Sequence, residues 1–270
     1  MDPLIITVAA VGAELTREQQ PSLPLSAEEL ARDAAACAAA GASIYHLHVR
    51  DEQGHPTMDV ETFRRAKEAI TSASELIVQF TTGGAVTDGP EERLAPLELE
   101  PEMATLTTGT VNFGEEVFSN PEPVIRRLYG RMLESGVQPE YEIFEAGMIA
   151  TAERLAGELG AEHHRHFDFV LGVPGALPAW PDVIAFLASK LPTEATWSAT
   201  GIGKAHLPVA EETIDKGGHV RTGFEDVRYF AAGELASSNA QLIARVAEMA
   251  RAKGRAVATP AEARRILGLG

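Results

Sequence analysis

Short apolar runs rich in β-branched residues alternate with amphipathic stretches of helical period along the whole chain, and this alternation restricts the fold more than any other feature. Strand candidates are 4–10, 43–50, 76–82, 103–108, 140–145, 167–173, 195–202 and 220–225. Helical patterns lie near 27–40, 60–72, 123–135, 148–159, 181–191, 208–216 and 239–253, and only 88–101, between the third and fourth strands, is poorly helical. Such alternation demands parallel strands with right-handed crossovers, and eight of them close naturally into a barrel. A doubly wound open sheet is the alternative topology. A length of 270 residues suits one eight-fold barrel, and no linker-like tract divides the chain. The expectation is therefore α/β, a (β/α)8 TIM barrel forming a single domain over 1–270, with one short extra C-terminal helix in the tail 259–270.

One helix start follows in detail. Ser26 and Glu29 form a capping box, with Leu25 and Leu30 at the positions of a hydrophobic staple, so the first helix starts at about Ala27. Residues 11–25 then make a long first βα loop that carries Glu14. Barrel active sites sit where strands end and such loops begin, and a long loop there favours ligand binding. Cys37, the only cysteine, lies in an Ala-rich run and reads as a small buried apolar residue.

The most specific local signal is the run from Ile44 through His46 and His48 to Asp51. On a strand, His46 and His48 point the same way, about 6.6 Å apart along the chain. Two imidazoles converging at the functional rim make half of a divalent-metal site; the alternative is a pair hydrogen-bonded within the barrel. Glu225, at the end of the eighth strand, shares that rim because strands two and eight flank strand one. It would complete a His2Glu set with a position open for substrate. Asp226 faces differently, which suits a base or orienting group; the reverse assignment, Asp226 as ligand, stays open. His163, His164 and His166 fall in an αβ connection and are expected at the solvated surface. Thr81 to Gly84 and Thr105 to Phe113 supply hydroxyls and backbone N–H groups that suit a carboxylate or oxyanion. Gly201, Gly203 and Lys204, after strand seven, resemble a phosphate-cradling loop where barrels often place one.

In order along the chain, these motifs resemble the β-keto acid cleavage enzymes. The likeness includes Gly12-Ala13-Glu14 with Pro21-Ser22-Leu23-Pro24, and the run from His46 to Asp51. It continues through Thr81-Thr82-Gly83-Gly84, Thr110-Val111-Asn112-Phe113, Pro139-Glu140-Tyr141-Glu142 and Phe169 to Gly175. Gly217 to Arg221 and the segment from Gly233 through Ser237-Ser238-Asn239 to Arg255 complete it. The resemblance implies a zinc-bound barrel that reacts a β-keto acid with acetyl-CoA, giving acetoacetate and a new acyl-CoA. Its zinc ligands match His46, His48 and Glu225; its base matches Asp226, with Arg221 nearby. The substrate carboxylate would be held at Thr82, Gly83, Gly84 and a threonine at 105 or 107, of which Thr107 is preferred. Glu14 and Glu142 match positions that contact the distal part of the substrate, and Gly201, Gly203 and Lys204 are assigned to CoA. Two features depart from a smooth match. Val227 stands where the family often has asparagine, and Arg221 sits ~13 Å below Glu225 along an ideal strand. It reaches the site only if its side chain extends upward or Gly223 bends the strand.

The sequence thus predicts an acyltransferase with Zn2+, or another divalent metal, and acetyl-CoA as co-substrate. A metal-dependent retro-Claisen hydrolase or aldolase acting without CoA is the alternative. A net charge of −16 argues against a nucleic-acid partner. With no signal-peptide n-region and no apolar stretch near the length of a membrane span, a cytoplasmic protein without membrane contact is expected. The apolar tail from Ile266 to Leu269 suggests packing on a neighbour in a homo-oligomer.

Overall fold

The apolar runs form eight strands, which in chain order are β1 (Ile6–Ala9), β2 (Ile44–Leu47), β3 (Ile77–Phe80), β4 (Met103–Thr107), β5 (Gln138–Ile143), β6 (His166–Leu171), β7 (Thr196–Gly201) and β8 (His219–Thr222). All pair in parallel with their sequence neighbours, and β8 pairs with β1 to close the barrel. Helices α1 (Ala27–Ala40), α2 (Val60–Ala73), α3 (Pro90–Leu94), α4 (Glu122–Glu134), α5 (Gly147–Glu158), α6 (Val183–Ala188), α7 (His206–Asp215), α8 (Asn239–Ala252) and α9 (Pro260–Leu267) follow the strands. The computed structural model describes residues 1–269. The start of α1 is as the capping box predicts: Glu29 N–H donates to Ser26 Oγ at 3.3 Å, and Ser26 N–H to the Glu29 carboxylate at 3.0 Å. The poorly helical 88–101 segment is the short α3 followed by a 3-10 turn, Ala95–Leu99.

Most strands are shorter than their apolar runs, and in two of them the early end shapes the functional rim. β2 stops at Leu47, and Val49–Arg50 turns away to pair antiparallel with Pro56–Thr57. β8 stops at Thr222, because Gly223 lies against β1: a Cβ there would come within 2.0 Å of the Ala9 carbonyl oxygen. Two further small hairpins, Val111–Phe113 with Glu116–Phe118 and Tyr229–Ala231 with Glu234–Leu235, follow β4 and β8 and build up the same end of the barrel.

Alternation sorts the strand residues. Tyr45, Leu47, Val78, Phe80, Tyr141, Phe167 and Phe169 pack outward beneath the helices, whereas the opposite parity fills the barrel. At the lower end Ile5, Ile44, Ile77 and Met103 are sealed by Ala258, Ala263 and Leu267, with Ile266 and Leu269 packed against them. Leu267 therefore plugs the chain's own barrel, while Ile266 and Leu269 stay partly buried; a parallel bridge between Leu4 and Val257 carries the chain back under the strands. Above this plug the interior is polar, with Gln79, Thr105, Glu140, His166, Asp168, Ser198, Thr200 and Arg221 all buried. The expectation for His166 is corrected. It opens β6 and points inward, 3.2 Å from Glu140 and hydrogen-bonded to Thr196 at 2.8 Å, so it is not surface. His163 and His164 are half-buried, on the Tyr129 hydroxyl at 2.9 Å and the Thr196 hydroxyl at 2.9 Å.

Candidate metal centre and active-site cavity

A cavity of about 320 Å3 opens at the C-terminal ends of the strands. His46, at the end of β2, and His48, just beyond it, both point into it, as their shared parity requires. The turn after Gly223 brings Glu225 over the same spot, anchored by Glu225 N–H on the Ala9 carbonyl at 3.1 Å. Gly12 makes room for it: with φ of +64° it adopts the left-handed conformation, and a Cβ there would lie 2.7 Å from Glu225 Cγ. His46 Nε2 and His48 Nε2 each stand 3.7 Å from a Glu225 carboxylate oxygen. One potential ligand atom from each of the three residues falls within 4.8 Å of the others.

The chemistry of this donor set fits a divalent cation. Burial pushes the His46 imidazole down to about 3 and lowers that of His48 as well, so both rings are neutral with lone pairs to offer. His46 Nδ1 lies 2.8 Å from Gln79 Oε1, which places the ring proton on Nδ1 and leaves Nε2 facing Glu225. Burial pushes the Glu225 carboxyl up, but the Arg221 guanidinium and the two imidazoles outweigh it and hold it at about 2. Its Oε2 is buried without a hydrogen-bond donor, as an oxygen reserved for a cation would be.

Arg221 stands under this cluster. Its Nε donates to Asp226 Oδ2 at 3.2 Å and its Nη2 to Asp226 Oδ1 at 3.0 Å, while Nη1 reaches Glu142 at 3.3 Å and Nη2 also donates to Glu225. The bend at Gly223 carries the two acids back over the arginine, closing the distance that an ideal strand leaves open. Arg221 also orients Asp226, so Val227 in place of asparagine leaves that carboxylate held; Val227 itself is buried, with its N–H on the Gly223 carbonyl at 2.9 Å. Burial pushes the Asp226 carboxyl up to about 7 against the pull of Arg221, with Glu225 adding to the rise. Burial likewise raises Glu142 to about 7, opposed by Arg221 and by the Thr107 hydroxyl, which donates to Glu142 at 2.7 Å.

The remaining expected residues are distributed less uniformly. Glu14, Gly83, Gly84 and Glu142 line the cavity. Thr82 does not: its hydroxyl donates to the Thr105 carbonyl at 2.7 Å, and Thr81 forms the wall instead, accepting the Gly83 N–H at 2.9 Å. Thr107 meets the site only through Glu142. Gly201 is buried in β7, the Gly203 N–H is taken by the Asp226 carbonyl at 2.8 Å, and Lys204 is exposed outside the cavity wall. That loop therefore braces Asp226, and of the expected phosphate donors Lys204 is left without a hydrogen-bonded partner among the described residues. Glu142 is ion-paired to Arg221, whereas Glu14 lines the same cavity, together with the apolar Val86, Phe113, Phe118, Phe144 and Val173. Sequence reasoning missed Gln79, and also Arg93, which is buried over the Phe118 ring and holds the Thr82 carbonyl and Asn120. Inward parity with His46 across neighbouring strands was a signal for Gln79; Arg93 sits in a short helix and left none.

A closed parallel barrel with acids, imidazoles and one buried arginine converging in a cavity at its C-terminal rim is the arrangement of a barrel enzyme. Residues 3–269 match the family described as beta-keto acid cleavage enzyme, and the chain belongs to that family. It is 46% identical to the 3-keto-5-aminohexanoate cleavage enzyme of Fusobacterium nucleatum, over 100% of this chain and 99% of that one. It is 38% identical to the 3-oxoadipate:acetyl-CoA acetyltransferase of Cupriavidus necator, over 99% of this chain and 95% of that one. Among solved structures, the apo structure of ObcA superposes with a TM-score of 0.79 at 18% identity, covering 93% of this chain and 66% of that chain, a likeness of fold.

Proposed function

We propose that this chain transfers an acyl group from a β-keto acid to CoA, taking acetyl-CoA as co-substrate and releasing acetoacetate and a new acyl-CoA, with one divalent metal, zinc, on His46, His48 and Glu225. The observation that carries this reading is the convergence of those three side chains beside the Arg221–Asp226 pair. Family membership supports the reaction class, as does the use of acetyl-CoA named for the Cupriavidus relative. A bound zinc would polarise the substrate's ketone, lowering the pKa of the carbon between the two carbonyls.

The chain's own residues do the rest. Asp226, with a carboxyl pushed up to about 7 by burial, takes a proton from that carbon. Arg221 holds both carboxylate oxygens and aims the base. The carbanion attacks the acetyl-CoA carbonyl, forming a carbon–carbon bond and expelling the CoA thiolate. The thiolate adds to the original ketone, the original carbon–carbon bond breaks, and Asp226 returns its proton to the departing acetoacetate carbon. Thr81, whose hydroxyl oxygen already accepts from Gly83, has its O–H proton free for the substrate carboxylate, and the Gly83 and Gly84 backbone lies beside it. Glu142 is tied to Thr107 and Arg221, which leaves Glu14 and an apolar wall to meet the distal chain, so a cationic or neutral tail is favoured over a carboxylate. Lys204 is the residue left to meet a CoA phosphate from outside the cavity.

Product analysis tests this. Incubated with a panel of β-keto acids bearing amino, neutral or carboxylate termini, the protein should give acetoacetate and the matching acyl-CoA only when acetyl-CoA is present. The amino and neutral members should turn over fastest. Cleavage that ignores acetyl-CoA would remove the transferase reading, and a preference for the dicarboxylate would remove the reading of the distal pocket.

A further inference from the structure

The family motif ending in Ser237-Ser238-Asn239 has no part in the chemistry above, yet Asn239 is fully buried with both ends of its amide engaged. Ser238 caps α8 by accepting the Gln241 N–H at 3.1 Å, so Asn239 is not needed as a cap. Its Oδ1 accepts the Phe224 N–H at 2.8 Å, and Phe224 immediately precedes Glu225. Its Nδ2 donates to the Ala10 carbonyl beyond β1 and to Asp33 Oδ2 on α1, both at 3.1 Å. The same Asp33 oxygen accepts from the hydroxyl of Tyr45 at 3.0 Å, and Tyr45 immediately precedes His46. A chain of hydrogen bonds thus runs along the outer face of the barrel, beneath α1 and α8, and each of its ends is one residue from a candidate metal ligand.

Strand geometry gives this chain its leverage. Tyr45 and His46 project to opposite faces of β2, so whatever fixes the outward hydroxyl also fixes the strand that carries the inward imidazole. On the other side, regular pairing of β1 with β8 ends at Val8 and Thr222. Past that point the turn bearing Glu225 and Asp226 is held from β1 by the Glu225 N–H on Ala9, from the β7 loop by the Gly203 N–H on Asp226, and from α8 by Asn239. β1 lies between β2 and β8, and Asn239 reaches it too, so the clamp spans all three strands.

We infer that Asp33 and Asn239 are positioning residues that set the spacing between the imidazoles of His46 and His48 and the carboxylate of Glu225. This rests on the reading of those three residues as a metal site. The test uses Co2+ as the probe, with affinity read by chelator competition and geometry read from the visible absorption of the Co2+-loaded protein. Asn239→Leu and Asp33→Leu should weaken Co2+ binding by about 10- to 100-fold and shift the absorption bands, the range typical for removing outer supports of a metal ligand. Asp33→Asn keeps an acceptor oxygen and should restore affinity to within about threefold. Leu187→Ala, on the buried face of α6, should lower Tm and leave Co2+ affinity and spectrum as in the unmodified protein. If either leucine variant fails to fold, Tyr45→Phe, which removes one hydroxyl and no volume, should still shift the spectrum. The inference is overturned if Asn239→Leu, or Tyr45→Phe in its place, lowers only Tm while affinity and bands stay unchanged. If the unmodified protein takes up no Co2+, it is the metal-site reading that fails instead.

Discussion

Arg221 carries more of the site than any other single residue. It neutralises Glu225 and Glu142 and holds Asp226 by two bonds, inside a barrel whose charge is otherwise acidic. Burial of three carboxylates around one guanidinium is tolerable only while that cation is present, because an unpaired buried charge costs several kcal/mol. Arg221→Met, similar in length and uncharged, should therefore lower kcat by ~10²-fold or more through loss of base orientation. It should also destabilise the protein by about 2–4 kcal/mol near pH 8, where the three acids would otherwise ionise. Steady-state kinetics and urea denaturation check both. An unchanged kcat with reduced stability would make Arg221 a structural residue of the barrel interior.

Among the elements, the turn after β8 decides whether the metal ligands meet. Its entry, Gly223, has no room for a side chain, since a Cβ would fall 2.0 Å from the Ala9 carbonyl oxygen, a backbone atom that cannot swing aside. Gly223→Ala should open the β1–β8 seam, destabilise the protein by about 2–4 kcal/mol and weaken metal binding. Denaturation and chelator competition read the two effects, and a variant as stable and as metal-avid as its parent would refute this account of the turn. On α1, burial pushes the Asp33 carboxyl from 3.8 up to about 6, with the hydrogen bonds from Tyr45, Asn239 and Cys37 pulling the other way. The folded state favours the protonated acid, so the group's contribution to stability is complete below about pH 3.8 and is lost as pH rises to about 6. Asp33→Asn removes that titration. Relative to the parent, the variant should gain about 1–3 kcal/mol between pH 4 and pH 7. Urea denaturation across that range tests it; a pH-independent difference would contradict the reading.

Across the whole molecule, what was legible in the sequence was what depends on neighbours along the chain. Alternating apolar runs and helical periods announced the eight strands and the barrel, the Ser26–Glu29 box placed the start of α1, and strand parity put His46 and His48 in one cavity. Contacts between distant segments were not legible. The early end of β8 comes from Gly223 meeting β1, the burial of His166 from Glu140 on the adjacent strand, and the plugging role of Leu267 from the chain's return beneath β1. The Thr82 hydroxyl, expected to face substrate, is claimed by Thr105 across the β3–β4 seam, a partner that no local pattern reveals. Family resemblance supplied Arg221 and Glu142 as site residues; their pairing with each other was visible only in three dimensions.

Metal content of the purified protein tests the central claim most directly. Elemental analysis should find one divalent ion, zinc, per chain, and close to none when His46, His48 and Glu225 are replaced together by Ala, Ala and Gln in a chain that still folds. A parent protein with no bound metal, or a triple variant that keeps its ion, would contradict the assignment.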